Sequence, residues 1–118
     1  MNAEEMKMRT KGLALRILRL IEEPPHGKAA EVVSRQLLRS ATSVGANYRA
    51  ACRAKSQADF VYKMGIVEEE SDETLYWLEL LTESGLIKKD CVSELIDEAN
   101  QLVAITVSSI KTARRPRS

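Results

Sequence analysis

The one dense group of carboxylates that could do chemistry lies in a short stretch of the chain. Five of six consecutive positions there are acidic, namely Glu68, Glu69, Glu70, Asp72 and Glu73. Di-iron helix bundles bind metal through Glu-x-x-His pairs on facing helices, and the only histidine here is His26, in a Pro-Gly loop. Mg²⁺ or Ca²⁺ accepts oxygen ligands alone, but a straight helix rarely offers the required geometry. We therefore predict a solvated acidic face with one or two glutamates paired to basic groups, and keep a metal or acid–base site as the alternative.

A second group of polar side chains recurs at three- and four-residue spacing. Gln36, Arg39, Ser43 and Asn47 would share one side of a helix, beside an apolar stripe. Small hydroxyl residues let helices approach closely, and an Asn or Arg between helices can fix register and oligomeric state. The alternative is a surface that recognises a ligand. We expect the structural role, with this stripe lying near the acidic stretch.

Nucleophilic catalysis has little support in the sequence. Ser43 has no histidine partner, and Cys52 and Cys91 lie far apart, without the spacing of a metal or redox motif. Gly45 is isolated, so it belongs to no glycine-rich phosphate loop. We predict no catalytic residue, no metal ligand, no cofactor and no small-molecule substrate. The cysteine usage and the lack of an apolar run long enough to span a bilayer predict a cytoplasmic protein without a membrane partner.

The elements that must position these residues are all predicted to be helices. Hydrophobic residues make up 44% of the 118 residues but aromatic residues only 4%, which favours a helical core of Leu, Ile, Val and Ala. Thr10 is predicted to cap the first helix, and Pro24 with Pro25 to end it. The second helix is predicted to run from about Ala29 to Ala54.

The second half of the chain carries its own start and stop signals. Ser56 with Asp59 resembles a capping box, so a third helix should begin there and run to Ser84. Gly85 is predicted to end it in a left-handed conformation, and Asp90 to cap the fourth helix. Four helices with short connections predict an all-α, antiparallel, up-down-up-down four-helix bundle. In this division residues 1–9 are a flexible lead-in, 10–113 the bundle and 114–118 a basic tail.

The third helix has more apolar surface than one bundle core requires. A seven-residue alternation from Phe60 to Leu81 suits a core stripe, while Ile66, Trp77 and Leu80 fall outside it. A monomer should not leave such a surface in water. We predict that an interface between copies of the chain is formed by Ile66, Tyr76, Trp77 and Leu80.

The net charge of +1 hides a separation of charge along the chain. Residues 1–55 carry net +6, residues 56–110 net −9 and residues 111–118 net +4. Opposite charges can pair within the fold or between subunits. The candidates for nucleic-acid binding are basic residues of the second helix and the tail, namely Arg35, Arg49, Arg53, Lys111, Arg114, Arg115 and Arg117. No aromatic stacking platform accompanies them, so a solvated basic face is the alternative.

Four segments of the chain together resemble a known family. They are Arg9-Thr10-Lys11, the block from Gln36 to Tyr48 (QLLRSATSVGANY), Ser56 with Asp59-Phe60, and Glu73 to Leu81 (ETLYWLELL). Over roughly residues 9–104 the chain is similar to the bacterial four-helix-bundle proteins related to the 23S ribosomal RNA intervening-sequence protein. Gly12 departs from the larger residue expected near the start of the first helix, and the basic tail lies outside the pattern.

The resemblance implies a bundle that assembles into a homopentameric, ring-like barrel, in a family with no established enzymatic activity and thus no catalytic residues to carry over. It also implies a buried or interfacial polar network of Arg39, Ser43, Asn47, Glu69 and Glu73. Some relatives use a basic surface to engage nucleic acid. We therefore expect a bacterial, non-enzymatic scaffold or adaptor whose partner is itself. An RNA- or DNA-binding accessory protein is the alternative, and a metal enzyme built on the acidic stretch ranks last.

Overall fold

Four long helices make up the chain in a computed structural model that describes residues 1–23 and 25–115. They are α1 (Ala3–Glu22), α2 (Lys28–Cys52), α3 (Gln57–Glu83) and α4 (Lys89–Ala113). The described residues include no strand, which confirms the prediction of an all-α fold of four helices. The helices fit a bundle with overall dimensions of 54 × 21 × 20 Å. No helix within these two ranges is long and apolar enough to cross a bilayer.

Each helix packs against the next one in the chain, and α1 also touches α4. The contacts of α3 with α2 and with α4 are extensive, whereas α1 and α4 meet at few positions. Within the described ranges α1 does not approach α3, and α2 does not approach α4. The four helices therefore occupy the corners of a four-sided arrangement in which α1 and α3 are diagonally opposite.

Aliphatic side chains fill the centre of this arrangement, as the composition predicted. The largest side chains that are fully buried include Leu13, Ile17, Leu37, Val44, Met64, Val67, Leu78, Leu81, Val92 and Leu102. All four helices contribute to the set. Burying one such side chain stabilises the fold by about 1.5–3 kcal/mol, so this shared core holds the helices together.

The start of α1 differs from the prediction. Asn2 is the N-cap, and its Oδ1 accepts a hydrogen bond from the Glu5 N–H at 2.9 Å. Met6 is 3% exposed, so burial in the core extends the helix through the predicted lead-in. Thr10 lies inside the helix, where its hydroxyl donates to the Lys7 carbonyl oxygen at 3.2 Å. The prediction that Thr10 caps α1 was wrong, because a good cap and strong helix formers stand upstream of it.

The boundaries of α3 follow the sequence signals, whereas the start of α4 does not. The Ser56 hydroxyl accepts a hydrogen bond from the Asp59 N–H at 3.0 Å. Gly85 follows the helix with φ +78°, a conformation that favours glycine. The prediction that Asp90 caps α4 was wrong: Lys88 is the N-cap residue, and Asp90 lies in the first turn. There its negative charge complements the positive end of the helix dipole.

Ion pairs reinforce the sparse contact between α1 and α4. Arg9 forms an ion pair with Glu98, with its Nε 2.9 Å from a carboxylate oxygen, and also donates to Gln101 at 2.9 Å. Further along α1, Arg16 lies 3.4 Å from Glu94. The hydrogen bond with Glu98 raises the pKa of Arg9. These pairs close the one side of the bundle where the helices are less closely packed.

Candidate functional site

The polar stripe of α2 meets the acidic stretch of α3 at Arg39. Its guanidinium forms an ion pair with Glu73 and lies 3.2 Å from a carboxylate oxygen of Glu70. It also donates to the side-chain oxygen of Gln36 at 3.2 Å. The ring N–H of Trp77 donates to Glu73 at 3.2 Å. We call these five residues the Arg39 cluster; it ties one turn of α3 to α2 at the molecular surface.

Pairing shifts the pKa of both main partners in the Arg39 cluster. The hydrogen bond with Glu73 raises the pKa of Arg39. The same hydrogen bond, with a weaker contribution from Trp77, holds the pKa of Glu73 below its ordinary value. The Arg39 side chain is 47% exposed and that of Glu73 is 33% exposed, so water and salt screen their interaction. This geometry positions two helices and does not provide a buried acid–base pair.

The other members of the predicted polar network take separate positions. The Ser43 hydroxyl donates to the Arg39 carbonyl oxygen at 2.7 Å, and the Asn47 amide donates to the Ser43 carbonyl oxygen at 2.8 Å. Both side chains therefore bind the backbone of their own helix. Glu69 is exposed. Because successive helix residues are turned by about 100°, Glu70 faces α2 instead, although the sequence did not distinguish it from its acidic neighbours.

Small hydroxyl residues line the contact between α2 and α3 beneath the Arg39 cluster. The Thr74 hydroxyl lies 3.0 Å from the Ser40 hydroxyl, and both residues are fully buried. Ser40, Ser71 and Thr74 also lie within 3.2 Å of a carbonyl oxygen one turn earlier in their own helix. Their polar atoms are thus satisfied, and their small size permits the close approach of the two helices.

The predicted interface residues lie on α3 with unequal exposure. Tyr76 is 55% exposed and Leu80 37% exposed. Ile66 and Trp77 are half-buried, and Trp77 packs against the core. The rings of Tyr76 and Trp77 meet edge to face, with centroids 5.1 Å apart and planes inclined by 68°. Tyr76 and Leu80 are therefore more accessible to a partner than the other two residues.

The outer side of α3 carries apolar and acidic residues together. Its exposed members are Tyr62, Glu69, Asp72, Tyr76, Glu79, Leu80 and Glu83, which we call the α3 face. Six of them follow a seven-residue helical repeat and, with Leu80, they span only about a quarter of a turn. The only basic residue of α3, Lys63, is half-buried and pairs with Asp59 at 2.9 Å. Uncompensated negative charge therefore surrounds two tyrosines and a leucine.

The outer side of α1 carries a second exposed stripe, which sequence reasoning missed. Its residues are Glu4, Met8, Lys11, Leu15, Leu18 and Glu22, which we call the α1 face. Their alternating spacing of four and three residues is typical of a helix that packs against a partner helix. The stripe lies beside the core stripe that includes Leu13 and Ile17. The signal was available in the sequence as a second apolar repeat on the same helix.

A basic groove of about 540 Å³ separates α1 from α2 next to the α1 face. Its lining includes Lys7, Lys11, Arg49 and Arg53, with Gly45 and Ala46 among the small residues. Lys7 pairs with Glu4 at 3.3 Å. Of the residues that the structure describes, none forms an ion pair with Lys11, Arg49 or Arg53. The groove therefore offers cationic groups to an outside partner.

The other predicted nucleic-acid-binding residues are distributed over the molecule. Arg35 lies 3.8 Å from Glu31 and lines a different groove, near the loop between α1 and α2. Lys111 is in the last turn of α4, and the exposed Arg114 and Arg115 follow it. Arg117 lies outside the described residues. The predicted set is thus not one continuous surface, although Arg49 and Arg53 do share the basic groove.

The sequence offers histidine, cysteine and acidic side chains as candidates for a metal or catalytic site. Within residues 1–23 and 25–115 no three His, Cys, Asp or Glu side chains are grouped to hold a metal ion. Cys52 and Cys91 are free and exposed, and His26 is exposed in the loop before α2. Burial raises the pKa of the Tyr48 phenol.

Fold and surfaces together define a small four-helix protein with an acidic, aromatic side and a basic side. The chain belongs to the 23S rRNA-intervening sequence protein family, whose model matches residues 4–108. A similar solved structure is a protein of unknown function from the S23 ribosomal protein family of Bacteroides thetaiotaomicron. It is 35% identical, with 94% of this chain and 99% of that chain covered and a TM-score of 0.85. No curated protein matches the chain. The predicted family is confirmed.

Proposed function

We propose that the protein is a non-enzymatic scaffold that associates with copies of itself. The observation that carries this proposal is the α3 face, where Tyr62 is 69% exposed and Tyr76 55% exposed. Tyrosines are enriched where proteins bind one another, and Tyr76 and Leu80 lie one helical turn apart on this face. The neighbouring Arg39 cluster would hold α3 in a fixed orientation towards the partner. The family resemblance supports five copies in a closed ring.

The proposed topology is an antiparallel, up-down-up-down bundle. Two contacts along α1 support it, because Arg9 pairs with Glu98 while the later Arg16 lies near the earlier Glu94. Such an inverse order is expected when two helices run in opposite directions. The connections between consecutive helices are also short, which favours antiparallel neighbours.

The proposed location is the cytoplasm, and the proposed activity is binding without catalysis. Cys52 and Cys91 are free and exposed, as is usual where thiols stay reduced. The names of the matching family and of the solved neighbour mention ribosomal RNA and ribosomal protein, and neither states a reaction.

Native mass spectrometry of the protein and of Tyr76→Ser tests the self-association. We expect the wild type to form a complex of several copies. The variant should shift towards the monomer, because it removes an exposed aromatic contact from the α3 face. Leu86→Ser is a matched control, since Leu86 is an exposed apolar residue after the end of α3. A wild type that stays monomeric over the whole concentration range would contradict the proposal.

Nucleic-acid binding is a second candidate function, supported by the cations of the basic groove. The end of α4 lies near the start of α3, where Arg114 and Gln57 line a common groove. The tail thus adds Arg114 as a second cationic site, separate from the basic groove. Neutralising phosphates releases counterions, so affinity should fall steeply with salt.

Titration of a fluorescent single-stranded RNA at several salt concentrations tests this second function. The double variant Arg49→Gln, Arg53→Gln should bind more weakly. Its negative slope of log affinity against log salt should become less steep by about 0.7 for each phosphate that the variant no longer neutralises. Arg19→Gln, on the exposed side of α1, is the control. Equal affinity and equal slope in the wild type and the double variant would exclude the groove as the RNA site.

A further inference from the structure

One buried hydroxyl group of α2 differs from the other buried hydroxyl groups of the bundle. Within the described ranges the buried serines and threonines are Thr10, Ser34, Ser40, Ser71, Thr74 and Thr106. All except Ser34 lie within 3.2 Å of a carbonyl oxygen one turn earlier in their own helix. Ser34 is only 6% exposed, and its Oγ forms no hydrogen bond with any residue that the structure describes. Because a buried hydroxyl without a partner is rare and costly, Ser34 points to a partner from outside the chain.

Ser34 lines a cavity of about 410 Å³ between the end of α1 and the first turns of α2. The apolar side chains of Ile21, Pro25 and Leu38, all half-buried, line the same cavity. Small-molecule sites have volumes of this order, and they are mostly apolar with a few polar groups that fix the orientation of the ligand. This cavity therefore combines apolar walls with one buried hydrogen-bonding group that the fold does not use.

The charged groups at the cavity favour a neutral ligand. Arg35 and Glu31 both line it, lie 3.8 Å apart and offset each other's charge at its exposed edge. The start of α2 at Gly27 also borders the cavity, and the positive end of a helix dipole attracts anions. The Glu31 carboxylate repels anions from the same space. A ligand without net charge avoids this repulsion and leaves the pair of Arg35 and Glu31 intact.

The Ser34 hydroxyl selects among neutral ligands. A hydroxyl group is both a donor and an acceptor, and the described residues use neither capacity of Ser34. A hydroxyl group on the ligand complements both capacities. The remainder of the ligand has to be apolar, because it contacts the side chains of Ile21, Pro25 and Leu38. A phenol has this composition, with a flat apolar ring and one hydroxyl group.

We infer that this cavity binds a small neutral phenol, whose ring packs against Ile21, Pro25 and Leu38 and whose hydroxyl group pairs with Ser34. The ligand is held and not converted, so the inference adds a small-molecule site to a non-enzymatic protein. It goes beyond the proposed scaffold function and does not depend on self-association.

NMR titration of the isotope-labelled full chain with phenol and with toluene tests the inference, because the two compounds have similar shapes and differ in the hydroxyl group. Both dissociation constants are obtained from the amide shifts of residues that line the cavity. Ser34→Ala should weaken the binding of phenol by about three- to tenfold and leave that of toluene within about twofold. Ser43→Ala is the matched control, since Ser43 lies on the same helix outside the cavity and bonds the Arg39 carbonyl oxygen. It should change neither constant.

The melting temperature of the ligand-free protein provides a second measurement. Ser34→Ala should leave it unchanged or raise it, because the substitution breaks no hydrogen bond of the described fold. Ser40→Ala should lower it, because the Ser40 hydroxyl is bonded to the Leu37 carbonyl oxygen and to Thr74. Equal losses in the two variants would show that Ser34 already has a partner within the protein, which overturns the inference.

Three results of the titration also overturn it. The first is that phenol shifts no amide signal of the residues around the cavity. The second is that Ser34→Ala binds phenol as tightly as the wild type does. The third is that benzoate, an anion of similar size, binds more tightly than phenol, which would make the cavity an anion site.

Discussion

At the scale of single residues, Arg39 connects the helix packing with the molecular surface. It reaches from α2 to the carboxylates of Glu70 and Glu73, which lie one turn apart on α3. Glu73 also accepts a hydrogen bond from the ring N–H of Trp77. A planar guanidinium suits this task, since it can donate to several acceptors at fixed angles. The partly exposed pair contributes little to stability at neutral pH. We expect its main effect to be on the orientation of Trp77, whose ring N–H donates to the same Glu73 carboxylate.

The lowered pKa of Glu73 makes a prediction about pH. The ordinary pKa is 4.5, and the folded value lies below it because Arg39 donates to the carboxylate. The stability from this pair is therefore fully present above the unfolded pKa and is lost as pH falls through the folded pKa. Arg39→Gln should lower the free energy of unfolding by about 0.5 kcal/mol at pH 7. The difference from the wild type should shrink towards pH 3.

Urea unfolding of both proteins at pH 7 and pH 3, at equal protein concentration, measures these differences. Arg35→Gln is a matched control, because Arg35 lies 3.8 Å from Glu31 and both side chains are about 70% exposed. Its effect should be smaller at pH 7. A difference for Arg39→Gln that is the same at both pH values would mean that Glu73 is not the group responsible.

At the scale of helices, local sequence signals predicted that the helices exist better than they predicted where each helix ends and which side of it faces the core. Ser56 and Gly85 bound α3 as expected, because capping depends on neighbouring residues alone. The start of α1 was misjudged because burial of Met6 is a tertiary effect. Similarly, the exposure of Glu69 and the inward position of Glu70 depend on a helix rotation that sequence spacing does not determine.

The apolar stripe of the α1 face shows a different limit. Met8 and Leu18 are apolar residues that the core does not use. Periodicity identifies such residues as helical, but only the packed structure distinguishes the stripe that faces the core from the one that faces outward. The same holds for the α2 stripe, where Ser43 and Asn47 bind their own backbone.

Two glycines test how closely α1 and α2 approach. Gly12→Ala should raise the free energy of unfolding by about 0.5–1 kcal/mol, since alanine favours helices and no atom lies within 4 Å of the new Cβ. At Gly45 the new Cβ would lie 3.3 Å from the Thr10 hydroxyl oxygen. Thr10 is buried and already bound to the Lys7 carbonyl oxygen. Gly45→Ala should therefore give no gain or a small loss.

Thermal unfolding of the two alanine variants, side by side with the wild type, compares these positions. Gly12→Ala should have the highest melting temperature of the three proteins. The wild type should melt at the same temperature as Gly45→Ala or at a higher one. Equal stabilisation by both substitutions would mean that α1 shifts without cost, and that the two helices are less tightly packed than the contact at Thr10 implies.

At the scale of the whole molecule, the separation of charge along the chain becomes a separation in space. Residues 1–55, which form α1 and α2, carry net +6, and residues 56–110, which form α3 and most of α4, carry net −9. Some of this charge pairs internally, through Arg9 with Glu98 and Arg39 with Glu73. The α3 face and the basic groove keep unpaired charge of opposite sign on different sides.

This unpaired charge predicts how the proposed self-association depends on salt. Raising NaCl from about 0.05 M to about 0.5 M shortens the screening length severalfold, so attraction between the acidic α3 face and the basic groove of another copy should weaken. We expect the apparent dissociation constant, measured by sedimentation equilibrium, to rise by about tenfold.

The variant Glu69→Gln, Asp72→Asn removes two exposed acids and should associate more weakly at low salt, with a smaller response to salt. An apolar contact alone would instead strengthen slightly as salt increases. Association that strengthens with salt in both proteins would mean that the opposite charges stabilise each subunit separately and do not join one subunit to the next.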